Sequence, residues 1–133
     1  MSTLARFFYP VPARRSVPGI IAWWERRRLG YNVVVGATGL LSLGIVSLFS
    51  VLPPASHFSI PWIAPIVFGV MANICYSLGW AIESLFHVVW RDEVQPVGPV
   101  LFRQGVLFAV GVTLLPVVIA GLGWVARVVS MLL

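Results

Sequence analysis

The sequence of 133 residues contains no lysine and one cysteine, and only four acidic residues stand against nine basic ones, all of them arginine. Charged residues make up 10% of the chain and hydrophobic residues 59%, whereas soluble domains carry about 25% charged residues. A soluble fold of this length has too little interior to bury so much apolar surface. The composition therefore predicts a single integral membrane protein domain, surrounded by lipid.

The chain also lacks the residue patterns of common catalytic and metal sites. Its lone cysteine, Cys75, excludes an intramolecular disulfide and a cysteine-based metal cluster. No H-E-x-x-H, C-x-x-C, phosphate-binding glycine loop or G-x-S-x-G pattern occurs. His57 and His87 fall on opposite membrane faces in the topology derived below, so they cannot share a metal within one chain. We therefore expect no enzymatic activity, no cofactor and no metal site.

Three apolar runs are each long enough to cross a bilayer, for which about 20 residues suffice. They predict an all-α bundle with spans at about 31–52, 63–83 and 104–125. Pro53 and Pro54 end the first run, and the run of Arg91, Asp92 and Glu93 indicates a polar turn after the second. We take residues 31–133 as the transmembrane domain. Its apolar tail, residues 128–133, is expected to lie along the interface beyond Trp124 and Arg127.

Residues 1–30 form a separate segment rich in arginine and tryptophan. We expect an irregular arm over residues 1–17, followed by a short interfacial helix that begins at Pro18, because proline suits the first turn of a helix. In this interpretation five side chains contact lipid headgroups: Trp23, Trp24, Arg26, Arg27 and Arg28. Alternatively, the same residues are the membrane-proximal end of the first spanning helix.

The distribution of arginine predicts the orientation in the membrane. Six of the nine arginines precede the first apolar run, Arg91 and Arg103 lie in the second loop, and Arg127 alone lies beyond the third span. The positive-inside rule therefore places the N-terminus in the cytoplasm. It also makes anionic lipid headgroups the expected partners of the basic residues, and nucleic acid is not expected.

Small and polar residues recur on one face of two spans, as they do where helices pack closely in lipid. In span 1 this face holds Asn32, Gly36, Gly39, Ser47 and Ser50. In span 3 it follows steps of four and three residues, and Pro116 there deprives the carbonyl of Val112 of its helical donor. The predicted helix-packing residues are Gly36, Gly39, Ala109, Thr113, Pro116 and Ala120. The alternative is that this face lines a pathway.

The helix of span 2 is expected to extend through Glu83 and His87 to Trp90. It carries a polar seam: Asn73, Tyr76, Trp80, Glu83 and His87. Steps of three and four residues place all five on one helix face. An ionisable group in a span is costly, and this makes Glu83 and His87 candidates for a proton-sensitive or ligand-binding site. The simpler interpretation is structural, with Glu83 reaching the headgroups to meet Arg91 or Arg103 and Asn73 hydrogen bonding between helices.

Two segments, Glu25–Asn32 and Ala72–Glu83, resemble small bacterial multi-pass membrane proteins of uncharacterised function. The resemblance implies a location in the bacterial inner membrane, and it implies no activity.

Three functions are compatible with the sequence. The first is a non-enzymatic accessory or scaffold subunit that docks onto a larger membrane complex or onto copies of itself, since the loops are too short for a soluble catalytic domain. The second is a small oligomeric transporter or channel that uses Glu83 and His87. The third is a sensor of anionic lipid that uses Arg26, Arg27 and Arg28.

Overall fold

The computed structural model describes residues 2–12, 16–57, 59–91 and 95–133. It contains four helices and, within these ranges, no strand: α1 Thr3–Phe8, α2 Val17–Val51, α3 Ile63–Trp90 and α4 Gly98–Leu132. Helices α2, α3 and α4 are each long and apolar enough to cross a membrane. The predicted all-α fold with three spans and a short N-terminal helix is therefore confirmed. Two of the six N-terminal arginines, Arg14 and Arg15, and two residues of the predicted polar turn, Asp92 and Glu93, lie outside the described residues.

Helix α2 is continuous through the boundary that the sequence suggested at residue 30. The hydroxyl of Ser16 caps its start by accepting from the amide of Gly19 at 3.2 Å, and Pro18 occupies its first turn. The helix ends at Val51, before the two prolines. Its 35 residues correspond to about 52 Å of helix, well beyond the about 30 Å of a bilayer core. The tryptophan and arginine segment is therefore the first part of this helix.

The short N-terminal helix lies earlier than expected, within the arm predicted to be irregular. Ser2 caps α1 by accepting from the amide of Ala5. Phe7 then packs against the ring of Phe102 in α4, with 5.2 Å between ring centroids. It also covers Gly30 of α2, where a Cβ atom would lie 2.9 Å from Phe7 Cε2. Helix α1 is thereby attached to both α2 and α4.

Helices α3 and α4 both extend beyond the predicted spans. Helix α3 continues to Trp90, and α4 begins at Gly98 with Pro99 in its first turn. Helix α4 also includes the tail that was expected to lie along the interface, because it remains helical to Leu132. All three long helices thus exceed the lengths that apolar runs alone suggested.

Helices α2 and α4 run parallel and pack directly against each other, while α3 runs antiparallel and contacts both. At the arginine-rich end, which carries Arg26–Arg28 of α2 and Arg103 of α4, the indole of Trp24 packs against Phe102 and Gly79. Further along, Gly39 of α2 contacts Thr113 of α4. The three helices meet around Trp24 at the arginine-rich end, where a cleft between α3 and α4 also begins, and a second cleft opens further along.

At the far end, α4 holds the C-terminus of α2 through polar contacts. The guanidinium of Arg127 donates to the carbonyls of Phe49 and Pro54, each at 2.9 Å. The indole of Trp124 donates to the carbonyl of Pro53 at 3.2 Å. The contact with Phe49 satisfies one of the carbonyls that the end of α2 leaves without a helical partner, and the other two contacts satisfy carbonyls of the loop that follows. Arg127 therefore fastens the α2–α3 loop to α4.

The close fit of Trp24 against α3 gives the first prediction. A Cβ atom at Gly79 would lie 2.5 Å from Cη2 of Trp24, so Gly79→Ala should displace the indole and destabilise the protein by about 1–3 kcal/mol. Thermal unfolding of the purified protein in detergent measures this loss. The control is Gly69→Ala on the same helix, where no atom lies within 4 Å. Equal melting temperatures for the two variants would contradict the tight fit.

Candidate functional site

The predicted polar seam of α3 faces α2, and three of its five residues bond across that interface. Tyr76 is buried and its hydroxyl donates to the backbone carbonyl of Trp24 at 2.5 Å. The amide of Asn73 donates to the side-chain oxygen of Asn32 at 2.9 Å. Glu83 accepts from Trp24, as described next. The seam is therefore an interface between two helices along this part of the bundle.

Glu83 is the most deeply buried charged residue among those described, with 4% of its surface exposed. Its carboxylate accepts a hydrogen bond of 2.6 Å from the indole Nε1 of Trp24. It also lies against Gly98, the first residue of α4, at a spot where any Cβ atom would overlap it. The N-terminus of a helix carries partial positive charge, which stabilises a carboxylate there. Glu83 thus joins three helices at one point.

This position corrects the simpler interpretation of Glu83, in which it reached the headgroups to meet Arg91 or Arg103. The guanidinium of Arg103 instead donates to the hydroxyl of Tyr9 at 3.1 Å, and it lies over the same ring. Arg91 is exposed at the end of α3. The carboxylate is enclosed because Trp24 supplies a donor and Gly98 leaves room for it.

The remaining two seam residues make no cross-helix hydrogen bond within the described part of the chain. The indole nitrogen of Trp80 is buried and has no partner there, and the same holds for the hydroxyl of Ser84 one turn further. His87 is half-buried, one turn beyond Glu83. The structure therefore does not bring His87 and Glu83 together as an acid–base pair.

Arg28 was predicted to contact lipid headgroups. In the structure it forms a polar network with residues of α2 and α3 instead. Two nitrogens of its guanidinium bind Glu25 at 2.8 and 2.7 Å. The same group donates to Asn73 at 3.2 Å and to Ser77 at 2.9 Å. Arg28 is thereby fixed to α3. The sequence offered one sign of this network, since Asn32 and Asn73 were both placed on packed faces.

Trp23 and Trp24 are core residues in the structure, with 8% and 2% of their surfaces exposed. The indole of Trp23 donates to the carbonyl of Val11 at 2.6 Å, which holds the N-terminal arm in place. Both rings pack edge-on against Phe102. The prediction of headgroup contact is therefore corrected for these two residues, because each indole finds its hydrogen-bond partner within the protein.

The other two arginines that were predicted to contact headgroups, Arg26 and Arg27, differ in their contacts with the protein. Arg27 donates to the carbonyl of Trp23 at 3.0 Å and lies 4.0 Å from the centroid of that ring. Such a cation–π contact is stabilising where the ring face is shielded from water. Arg26 is exposed. Of the three predicted headgroup ligands, Arg26 is the one that extends from the bundle.

A central cleft opens where α3 diverges from α2 and α4, with a volume of about 470 Å³. Its walls include Gly36, Gly39 and Ser42 from α2 and Ala64 and Gly69 from α3. Its α4 side consists of Val112, Thr113, Leu115, Pro116 and Ile119. A Cβ atom at Gly36 or Gly69 would meet nothing within 4 Å. Small residues therefore face open space within the spanning part of the bundle.

The predicted helix-packing residues fall into two groups. Ala109 and Thr113 are buried between α2 and α4, and Gly39 contacts Thr113 there. Gly36 and Pro116 are exposed and line the central cleft, and Ala120 is half-buried. The predicted face thus serves both the internal α2–α4 contact and the open cleft.

A second cleft, also of about 470 Å³, lies between α3 and α4. Its lining is mainly apolar and aromatic, with Phe68, Cys75, Phe102 and Phe108 among its residues. Neither this side cleft nor the central cleft is lined by Glu83 or His87. The described residues also contain no group of three or more His, Cys, Asp or Glu that could hold a metal ion.

These features define an all-helical, multi-pass membrane protein whose helices are joined by a buried carboxylate and an arginine network. Comparison with protein-family models, with curated proteins and with solved structures finds no match for the chain.

The contact between Trp24 and Glu83 gives the second prediction. Trp24→Phe keeps an aromatic ring but removes the N–H that the carboxylate accepts, and hydrogen bonds to charged groups contribute about 1.5–3 kcal/mol. We expect a loss of stability of that order, measured by thermal unfolding in detergent. The matched control is Trp62→Phe, at an exposed position. A Trp24→Phe protein as stable as the control would show that the bond contributes nothing.

Proposed function

We propose that this protein is a non-enzymatic accessory or scaffold subunit that docks a transmembrane helix of a partner against its central cleft. The observation that carries the proposal is the pair of open glycines, Gly36 and Gly69, on facing walls of that cleft. Lipid tails are as apolar as protein side chains, so helices associate in bilayers by close backbone approach at small residues. These two glycines offer such an approach, and none of the helices in the described part of the chain occupies it.

The orientation proposed from the arginines is consistent with this fold. Arg28 of α2 and Arg103 of α4 lie at the same end of the parallel α2–α4 pair. Under the positive-inside rule this end faces the cytoplasm, and the resemblance to bacterial proteins supports an inner-membrane location. Anionic lipid headgroups are then the proposed partners of the exposed arginines at this end.

The alternative, an oligomeric transporter or channel, requires Glu83 or His87 to face a path across the membrane. Glu83 is enclosed between Trp24 and Gly98 instead. The two clefts described are lined by other residues. A pH-dependent flux that Glu83→Gln abolishes without loss of folded protein would favour this alternative over the docking proposal.

The third prediction tests docking in the native membrane. Gly36→Leu combined with Gly69→Leu fills the cleft from both walls, and each 1.4 kcal/mol of lost contact weakens association about tenfold. In a mild detergent, the wild-type protein should be extracted together with a partner in fixed ratio. We expect the amount of this partner that is extracted with the double variant to be at least about tenfold lower. Native mass spectrometry of the extracted particle measures the composition.

The matched control carries Gly44→Leu and Gly111→Leu. Both glycines are exposed, neither has an atom within 4 Å of its Cβ position, and neither lines the two clefts. The control should retain the partner. Wild-type protein that emerges alone as a defined homo-oligomer, or a cleft variant that keeps its partner, would refute the proposal.

The fourth prediction concerns the lipid contact. Arg26 is exposed, whereas Arg28 is engaged with Glu25, Asn73 and Ser77. Each basic residue near an anionic surface adds about 1 kcal/mol of attraction at moderate salt. Arg26→Gln should therefore lower the retention of phosphatidylglycerol in the purified particle severalfold, as measured by lipid mass spectrometry. Retention unchanged by this variant and unaffected by salt would argue against a headgroup contact at Arg26.

A further inference from the structure

Ser42 lines the central cleft with a hydroxyl that the described residues do not use as a hydrogen-bond donor. Its side chain is buried, with 5% of the residue exposed, and it lines the cleft. Thr38, Ser50 and Thr113 each donate to a carbonyl of their own helix, but the hydroxyl of Ser42 has no hydrogen-bond partner among the described residues. In the interior of a bilayer no water is available to supply one. The cleft therefore contains an unused donor.

An unused acceptor lies on the adjacent wall of the cleft, in α4. Pro116 has no backbone N–H, so the carbonyl of Val112 lacks the donor that a helix normally provides. Both residues line the central cleft. Gly39 contacts Thr113, and α2 and α4 are parallel, so one further step of three residues brings Ser42 level with Pro116. The carbonyl of Val112 points along α4 toward Pro116, so the donor and the acceptor lie within about one helical turn of each other in the cleft.

The hydroxyl of Thr113, on the same wall as Val112, is already engaged in a hydrogen bond. It donates to the carbonyl of Ala109 at 2.6 Å, within its own helix. Ser42 is then the free side-chain donor on the cleft wall at this depth among the described residues. The remaining lining here is apolar, with Leu43 and Leu115 nearby in sequence. One donor and one acceptor therefore define a single polar position in an apolar cleft.

We infer that this position receives an Asn, Gln, Ser or Thr side chain from the middle of the partner's transmembrane helix. Such a side chain both donates and accepts, so it satisfies Ser42 and the carbonyl of Val112 together. A lipid acyl chain has neither group and would leave both unsatisfied. The open glycines on the walls favour a helix as the occupant. This inference rests on the proposed docking function and specifies what the docked helix carries.

The experiment uses synthetic transmembrane helices of known sequence. Two leucine–alanine peptides of about 20 residues carry either one Asn or one Leu at the centre. Binding to the purified full-length protein in phosphatidylcholine vesicles is measured by fluorescence energy transfer. The Asn peptide should bind the wild-type protein about three- to tenfold more tightly, the range that interhelical hydrogen bonds in membranes provide. Ser42→Ala should abolish that preference.

Two further variants separate a specific contact from a general effect. Ser130→Ala, at an exposed serine near the end of α4, should keep the preference for Asn. Pro116→Ala restores an N–H that can donate to the carbonyl of Val112. This variant should reduce the preference for Asn while the melting temperature stays the same or rises. A residue with a merely structural role would not change binding and stability in opposite directions.

The outcomes distinguish this inference from the docking proposal. Equal binding of both peptides, blocked by Gly36→Leu with Gly69→Leu, would overturn the polar contact and leave docking in place. Absence of binding by either peptide would overturn the polar contact, and docking would then be judged by the native extraction. A preference for Asn that survives Ser42→Ala would also overturn it. If the wild-type protein retains a bound lipid that the Ser42→Ala protein loses, the occupant of the cleft is a lipid and not a helix.

Discussion

The buried carboxylate of Glu83 is the constraint on which the arrangement of the helices depends. A carboxyl group removed from water needs compensating polar partners, and here they come from different helices. Trp24 of α2 donates its indole N–H, and the N-terminus of α4 begins against the carboxylate at Gly98. These contacts determine where α4 starts and how deeply the indole enters the groove at Gly79. Because the indole occupies that groove, Tyr76 and Phe102 pack around it and complete the aromatic core.

The number and type of the spanning helices could be predicted, because apolar runs of sufficient length leave a helix as the stable option in lipid. The seam on α3 could also be predicted, since steps of three and four residues fix a helix face whatever that face contacts. Asn73, Tyr76 and Glu83 do lie at the α2–α3 interface. Helix lengths could not be predicted from hydropathy, because arginine-containing turns such as those at Arg26–Arg28 remain helical at the edge of the bilayer.

The placement of Trp23, Trp24 and Arg28 could not be predicted from composition. Tryptophan and arginine are common both at membrane interfaces and in polar contacts between helices, and only tertiary structure decides between these uses. Here the deciding partners are distant in sequence. Glu83 lies 59 residues from Trp24, and Ser77 lies 49 residues from Arg28. The N-terminal arm was unpredictable for the same reason, because Phe7 is ordered by Gly30 and Phe102.

The same contacts that close one end of the bundle leave the central cleft open. Trp24, Tyr76 and Arg28 bring α3 against α2, and all three lie on the arginine-rich side of the Asn32–Asn73 hydrogen bond. Beyond Ala72 the facing residues of α3 include Gly69 and Ala64, which are too small to bridge the gap to Gly36. Larger side chains at these positions would close the central cleft, so the small residues of α2 and α3 are what keep it open. If the proposed docking function holds, the hydroxyl of Ser42 lies where an additional helix would supply the hydrogen-bond partner that the described residues do not.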